Sequence, residues 1–285
     1  MGATSNRQRN ETLAECALQA PRLAAAYCDH ERGCRLHHAV WPTLRLLELV
    51  GSPGAPEDIP FWRRVLGAIS SASEPRVLLS GASDHGFLEL IYGLLAEAAI
   101  RAKLSLVDRC ETPLRLNRWY AERAGIDLEI FQSDILSFAP EQPFDAVLAH
   151  AFIDQLPSDQ WPTLLAKWRE LLRPGGYLVS LNRVRSAPEA EAERAAVAAP
   201  IDAAAMISRR NLELPPSLWL PTELAQDVER YWRGRRPTPF RTQGEIVALF
   251  ENAGFSIDVA EEAFAIVAGR SLSRSRRLRL LARKS

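Results

Sequence analysis

From Arg76 onward, short apolar runs alternate with longer helical stretches, and this rhythm constrains the fold more than any other feature of the chain. Val77-Leu-Leu-Ser80, Leu104-Ser-Leu-Val107, Leu128-Glu-Ile-Phe131, Ala146-Val-Leu-Ala149 and Tyr177-Leu-Val-Ser-Leu181 read as five strands. Between them the periodicity predicts helices near 87–100, 112–124 and 159–172, the last stopped by Pro174-Gly-Gly176. Strands separated by helices build βαβ units and a parallel sheet. Unbroken apolar runs such as Val77–Leu79 suit strands covered on both faces.

Two other zones flank this pattern. Residues 1–74 read as a helical cap, with helices over Glu11–Tyr27, Trp41–Val50 and Phe61–Ile69 and a break at Gly51–Pro56. The alternation is interrupted again at 183–240. There an alanine- and glutamate-rich stretch, Ala187–Arg209, leads through Leu214–Pro221 to a helix near Glu223–Trp232. A segment this long is expected to be a helical insertion covering the substrate site. Residues 75–182 and 241–285 then form one α/β domain, completed by a helix over 242–253 and strands at Phe255–Val259 and Leu278–Leu281. The alternation of Leu278 and Leu280 with arginines predicts an edge strand whose arginines face water.

Composition excludes several classes of function. The 285 residues carry a formal net charge of zero, so no global field draws the chain to nucleic acid or an anionic membrane. No run reaches the ~18 apolar residues of a membrane span, and no secretory core follows the polar start. Four cysteines (Cys16, Cys28, Cys34, Cys110) do not make a disulfide scaffold in a chain this long. The expectation is a cytoplasmic enzyme with reduced thiols and a small-molecule substrate. The preference for arginine and alanine suggests a GC-rich bacterial genome.

Open α/β sheets bind ligands beyond the carboxyl ends of their strands. Gly81-Ala82-Ser83 begins the turn after the first strand, where small residues and free helix N–H groups admit a ligand closely. Asp108 ends the second strand, where a carboxylate can accept two hydrogen bonds from a ribose diol. Asp134-Ile135 follows the third and offers an acceptor and an apolar face to an adenine. His150 ends the fourth, with Asp154 just beyond.

This order of residues resembles the class I S-adenosylmethionine-dependent methyltransferase superfamily. The resemblance spans roughly 76–182, the region from Phe240 to Phe255 and the final strands; its most specific match is Leu171-Leu-Arg-Pro-Gly-Gly-Tyr-Leu178. Phe144-Asp-Ala-Val-Leu and Phe250-Glu-Asn-Ala-Gly-Phe255 also resemble family segments. The resemblance implies a Rossmann-like α/β fold, its seven-stranded sheet ordered 3-2-1-4-5-7-6 and flanked by helices. It also implies S-adenosylmethionine as cofactor, held by Gly81, Ala82, Ser83, Asp108, Asp134, Ile135 and His150. The chain departs from the family where Leu79 replaces the first-strand acid and where Ser83 and His85 replace glycines.

The expected activity is methylation of an oxygen or nitrogen in a small molecule, with secondary metabolism as the expected setting. Two rivals stay open: an elimination, cyclisation or rearrangement on the same fold, in which His85, His150 or His37 moves protons, and a non-catalytic binding subunit. His150 is the candidate general base, with His37 as the alternative on the cap, because imidazole titrates near neutrality. His38, Trp41, Asp154 and Trp219 are candidate substrate contacts, and Trp219 with Tyr231, Trp232 and Phe240 is a candidate aromatic wall. Cys28-Asp-His30 and Cys34-Arg-Leu-His37-His38 crowd possible zinc ligands together, but their spacing matches no standard module, so no metal site is expected.

Overall fold

The computed structural model describes residues 6–29, 33–70, 74–184, 188–189, 191, 199–234, 242–266 and 274–285. His30, Arg235, Arg236, Phe240 and most of 187–198 lie outside these residues. The strands are β1 (Arg76–Ser80), β2 (Lys103–Asp108), β3 (Leu128–Gln132), β4 (Phe144–His150), β5 (Leu172–Arg183), β6 (Phe255–Ile266) and β7 (Arg274–Lys284). They form one seven-stranded sheet ordered β3-β2-β1-β4-β5-β7-β6. The first five strands pair in parallel, and β7 runs antiparallel to both β5 and β6. This is the Rossmann-like order that the family resemblance implies.

Successive residues of β1 serve opposite faces, as strand geometry requires. Val77 and Leu79 join a core with Trp62, Val65 and Leu66 of α3 (Ile59–Ile69), Ile91 of α4 (Gly86–Glu97) and Leu114 of α5 (Glu111–Ala124). Leu78 joins the other core, with Trp161 and Trp168 of α6 (Trp161–Leu171). Leu79, at the family's acid position, is therefore core. Trp168 Nε1 donates to Ser80 Oγ at 3.0 Å, so the indole is buried without an orphaned donor.

A third core joins sequence-distant helices. Val40 and Leu44 of α2 (Arg35–Leu46) and Leu13 of α1 (Asn6–Tyr27) share it with Ile207 of α7 (Ala203–Asn211) and with Val228 and Trp232 of α8 (Leu224–Gly234). The helix α9 (Gln243–Asn252) starts with a capping box between Thr242 and Glu245, which is legible in the sequence.

Several boundaries differ from the sequence reading. The helix read from Trp41 begins at Arg35 and runs through Pro42, so Trp41 is mid-helix. Pro174-Gly-Gly176 does not lie between helix and strand. The helix stops at Leu171, and β5 already pairs Leu172 with Phe144 before a bulge re-pairs Tyr177 with Ala146. Gly175, at φ 71°, makes that excursion possible, and Asp145 holds it by an ion pair with Arg173 while accepting the Arg76 N–H at 2.8 Å.

The arginines of the last strand also differ. β7 is an inner strand, and Arg277 and Arg279 do not face water. They converge on the fully buried Asp58 at 2.8 and 2.7 Å, with side chains only 10% and 11% exposed. The acid that turns them inward precedes α3, more than two hundred residues away in sequence.

Candidate functional site

The carboxyl ends of the strands open onto one cavity of about 1100 Å³. Its walls include Gly81–Asp84 after β1, Asp108 at the end of β2, Ser133–Leu136 after β3, His150–Phe152 after β4 and Leu181–Arg183 at the end of β5. The helical side contributes His37, His38 and Trp41 from α2 and Arg230 and Tyr231 from α8. Of the residues singled out in the sequence, Gly81, Ala82, Ser83, Asp108, Asp134, Ile135, His150, His37, His38, Trp41 and Asp154 all line this space.

Trp219 does not. It is 50% exposed, and its indole N–H donates to the Leu214 carbonyl at 3.2 Å. Trp232 is buried in the helical core, so of the expected aromatic wall only Tyr231 meets the cavity among the described residues. His85 is also absent from the walls. It is 1% exposed, stacks on Tyr120 at 4.9 Å and meets the edge of Trp119 at 5.8 Å. Its place at the head of α4 made it look like a cavity residue, but its ring packs toward α5.

The first turn is built around glycine conformation and one ion pair. Gly81 has φ 79°, and a Cβ there would lie 2.2 Å from the Phe152 ring. Asp84 pairs with Arg45 of α2 while accepting the Gly86 N–H at 2.8 Å. This acid fixes the start of α4, although the family position in β1 is occupied by Leu79. Burial raises the carboxyl's tendency to hold a proton, but Arg45 and the hydrogen bonds win, and its pKa is lowered. Its second oxygen is buried without a hydrogen-bond partner, and the residue lies on the cavity wall. Arg277 was missed as a site residue because only tertiary folding brings it to the cavity, whereas Asp84 stands in the turn after β1 and Arg183 at the end of β5, and neither was singled out there.

Asp108 accepts the Ala82 N–H at 3.0 Å and the Cys110 N–H at 2.8 Å, one on each oxygen. Burial nevertheless pushes its pKa up to about 6, so further donors to the carboxylate would be favourable. Asp134 is partly committed, since its Oδ1 accepts the Leu136 N–H at 3.0 Å. Ile135, 6% exposed, supplies the apolar wall beside it.

Two histidines face the cavity differently. His150 lies at the end of β4, before a turn in which Ala151 adopts φ 52° and donates to the Leu181 carbonyl at 2.9 Å. Its Nε2 is buried without a partner, and burial with the cations Arg277, Arg45 and Arg183 lowers its pKa to about 3. The imidazole stays neutral, and so strong a depression makes it a weak base. The general-base expectation for His150 thus meets an unfavourable field. His37 is held at both nitrogens: Nδ1 is 2.9 Å from the Tyr231 hydroxyl and Nε2 is 3.0 Å from Ser83 Oγ. In a neutral ring one nitrogen donates and the other accepts.

These residues fit S-adenosylmethionine. Asp108 has acceptor capacity left for a ribose diol, Ile135 offers an apolar face to a base, and the unpartnered Asp84 oxygen can accept from an ammonium.

Residues 91–176 match the model of a family described as a methyltransferase domain. Among solved structures, the chain is similar to magnesium protoporphyrin IX methyltransferase ChlM from Synechocystis PCC 6803 with bound S-adenosylhomocysteine. Identity there is 11%, over 80% of this chain and 82% of that one, with a TM-score of 0.52. It is also similar to a structure from the conversion of a disulfide bond into a thioacetal group during echinomycin biosynthesis (18% identity, 78% and 80% coverage, TM-score 0.51). A third is the [4+2]-cyclase SpnF (13% identity, 79% and 80% coverage, TM-score 0.51). At these identities the likeness is one of fold. No curated protein matches the chain in sequence.

The fold is thus that of the Rossmann-like methyltransferases. The matched methyltransferase-domain segment runs within this fold from α4 into β5.

Proposed function

We propose that the chain transfers a methyl group from S-adenosylmethionine to an oxygen or nitrogen of a small molecule. The observation that carries this reading is the convergence of Gly81, Asp108, Asp134 and Ile135 on the same cavity as His37, Trp41 and Tyr231. Its volume exceeds the usual few hundred to ~1,000 Å³ of a single-ligand pocket, leaving room for cofactor and substrate together.

In this reading Asp108 holds the ribose hydroxyls, Asp134 and Ile135 hold the adenine, and Ala82 and Ser83 cradle the rest. Asp84 and Arg183 serve the ammonium and carboxylate of the methionine portion. The bound cofactor supplies an electrophilic methyl on a sulfonium. The protein's work is then to align the acceptor, exclude water and receive one proton. His37 is the better-placed proton acceptor, because a hydroxyl of the cavity wall meets each nitrogen and the one that donates to the neutral ring can relay a proton to it. His150 is a neutral hydrogen-bonding wall residue, and His38, Trp41 and Asp154 shape the acceptor subsite. Residues 1–74 and 183–240 act as the cap that selects the substrate.

Zero net charge fits a small-molecule substrate better than nucleic acid. Among the described residues no helix is long and apolar enough to cross a membrane. The reading places the enzyme in a bacterial cytoplasm, in secondary metabolism.

A second reading, non-methylating chemistry on the same fold, is favoured by Leu79 and by the likeness to a cyclase. One assay separates the two. Incubation with methyl-labelled S-adenosylmethionine and a panel of small phenols, acids and amines should give labelled product with matching S-adenosylhomocysteine. Product formed without S-adenosylhomocysteine release would contradict methyl transfer.

A further inference from the structure

Three cysteines and a histidine from three separate places in the fold converge on one point. Cys28 follows the end of α1, Cys34 N-caps α2, His38 lies one turn later on the same helix, and Cys110 N-caps α5. Cys28 Sγ is 3.3 Å from His38 Nδ1 and 3.6 Å from Cys110 Sγ. Cys110 Sγ is 3.3 Å from His38 Nδ1 and 3.9 Å from Cys34 Sγ. All four donor atoms lie within 4.8 Å of one another.

Tetrahedral zinc, with bonds of about 2.3 Å to sulfur and 2.0–2.1 Å to nitrogen, requires donor separations of about 3.8 Å for sulfur pairs and 3.5 Å for sulfur to nitrogen. The four contacts above scatter around those values. We propose that Cys28, Cys34, His38 and Cys110 form a closed tetrahedral zinc site that staples the N-terminal helices to the turn between β2 and α5.

The chemistry of the surroundings supports a thiolate-bound cation. Burial pushes the Cys110 and Cys28 thiols up, and the N-terminal dipole of α5 at Cys110 offsets only part of this, so a bound cation is what would hold them as thiolates. Thr112 Oγ1 lies 3.2 Å from Cys28 Sγ and 3.3 Å from the Leu23 carbonyl, so its hydroxyl proton would have to turn from that carbonyl to serve a metal-bound sulfur as an outer-shell donor. Cys28, His38 and Cys110 are buried and Cys34 is half-buried, so the cluster is shielded without being sealed off. Four protein ligands leave no open position, which marks a structural rather than a catalytic zinc. The local sequence concealed the site because its fourth ligand lies 72 residues beyond His38. The staple ends two residues from Asp108, so it would also fix the backbone N–H of Cys110 that this carboxylate accepts. This inference stands whether or not the chain methylates anything.

The test is metal analysis of full-length protein produced in zinc-supplemented medium and desalted. About one zinc per chain is expected by elemental analysis. Cobalt titration of the metal-stripped protein should give the visible bands of a tetrahedral ion with thiolate-to-metal charge transfer. Cys34→Ser should weaken zinc binding more than about tenfold, and Cys16→Ala, at a cysteine remote from the cluster, should leave the stoichiometry unchanged. The cobalt titration uses wild-type protein, so the test does not depend on the folding of a variant. Wild-type protein that takes up neither zinc nor cobalt would overturn the proposal. So would metal retained in full by Cys34→Ser, or a Cys28–Cys110 disulfide in place of bound metal.

Discussion

His37 on α2 hydrogen-bonds Ser83 in the turn after β1, Nε2 to Oγ at 3.0 Å, while its other nitrogen meets Tyr231 on α8. One imidazole therefore links the N-terminal helices, the sheet's first turn and the helices before β6. If it also receives the substrate proton, His37→Gln should lower kcat by ~10²–10⁴ while leaving S-adenosylhomocysteine affinity nearly unchanged. His150→Gln, at an imidazole whose pKa is already lowered to about 3, should cost far less. Steady-state kinetics of both variants check this, and the reverse ranking would restore His150 as the base.

Asp108 already accepts two backbone N–H groups, so its substitution has a structural as well as a binding cost. Asp108→Ala should weaken S-adenosylhomocysteine binding by roughly 1.5–3 kcal/mol, the worth of hydrogen bonds to a charged acceptor. Asp108→Asn, which keeps the shape and part of the acceptor capacity, should lose less. Equal affinity in all three proteins by calorimetry would remove Asp108 from the cofactor site.

The fold was largely legible because the strands announce themselves as apolar runs at regular spacing, and β1 to β5 all stand where those runs do. The cavity wall was legible where function sits at strand ends, as for Asp108, Ile135 and His150. It was not legible where a partner is remote. Asp84 took the role of anchoring the first turn only because Arg45 reaches it from α2, and Arg277 turned inward only because Asp58 waits there. Nor did local sequence give His85 its direction, which Tyr120 and Trp119 on α5 decide.

Asp58 anchors a buried charge cluster in which its two oxygens pair with Arg277 and Arg279, with Glu261 3.6 Å from Arg279 as a second acid. Removing its charge leaves two mostly buried guanidiniums with the more distant Glu261 to offset them. Asp58→Asn should destabilise the protein by about 3–5 kcal/mol in chemical denaturation, as for other broken buried ion pairs. A loss below about 1 kcal/mol, typical of exposed pairs, would mean that water reaches the cluster.

His85 gives the protein an acid-labile point. Burial lowers its pKa from the ordinary 6.5 to about 4, with Arg45 acting in the same direction and Asp84 opposing. Glu89 lies 3.8 Å from its Nε2, and Tyr120 and Trp119 cover the ring. The unfolded chain thus binds a proton before the folded one as pH falls. The stability held above pH ~6.5 is lost between there and about 4, at up to about 1.4 kcal/mol per pH unit. His85→Phe, which keeps a stacking ring, should flatten that slope by about one proton in denaturation series across the window. An unchanged slope would show that His85 titrates normally.

Calorimetry with S-adenosylhomocysteine on wild-type protein tests the cofactor assignment most directly. Saturable binding at about one ligand per chain is expected, with S-adenosylmethionine competing for the same site. No binding of either ligand at millimolar concentration would contradict the cofactor assignment while leaving the seven-stranded fold in place.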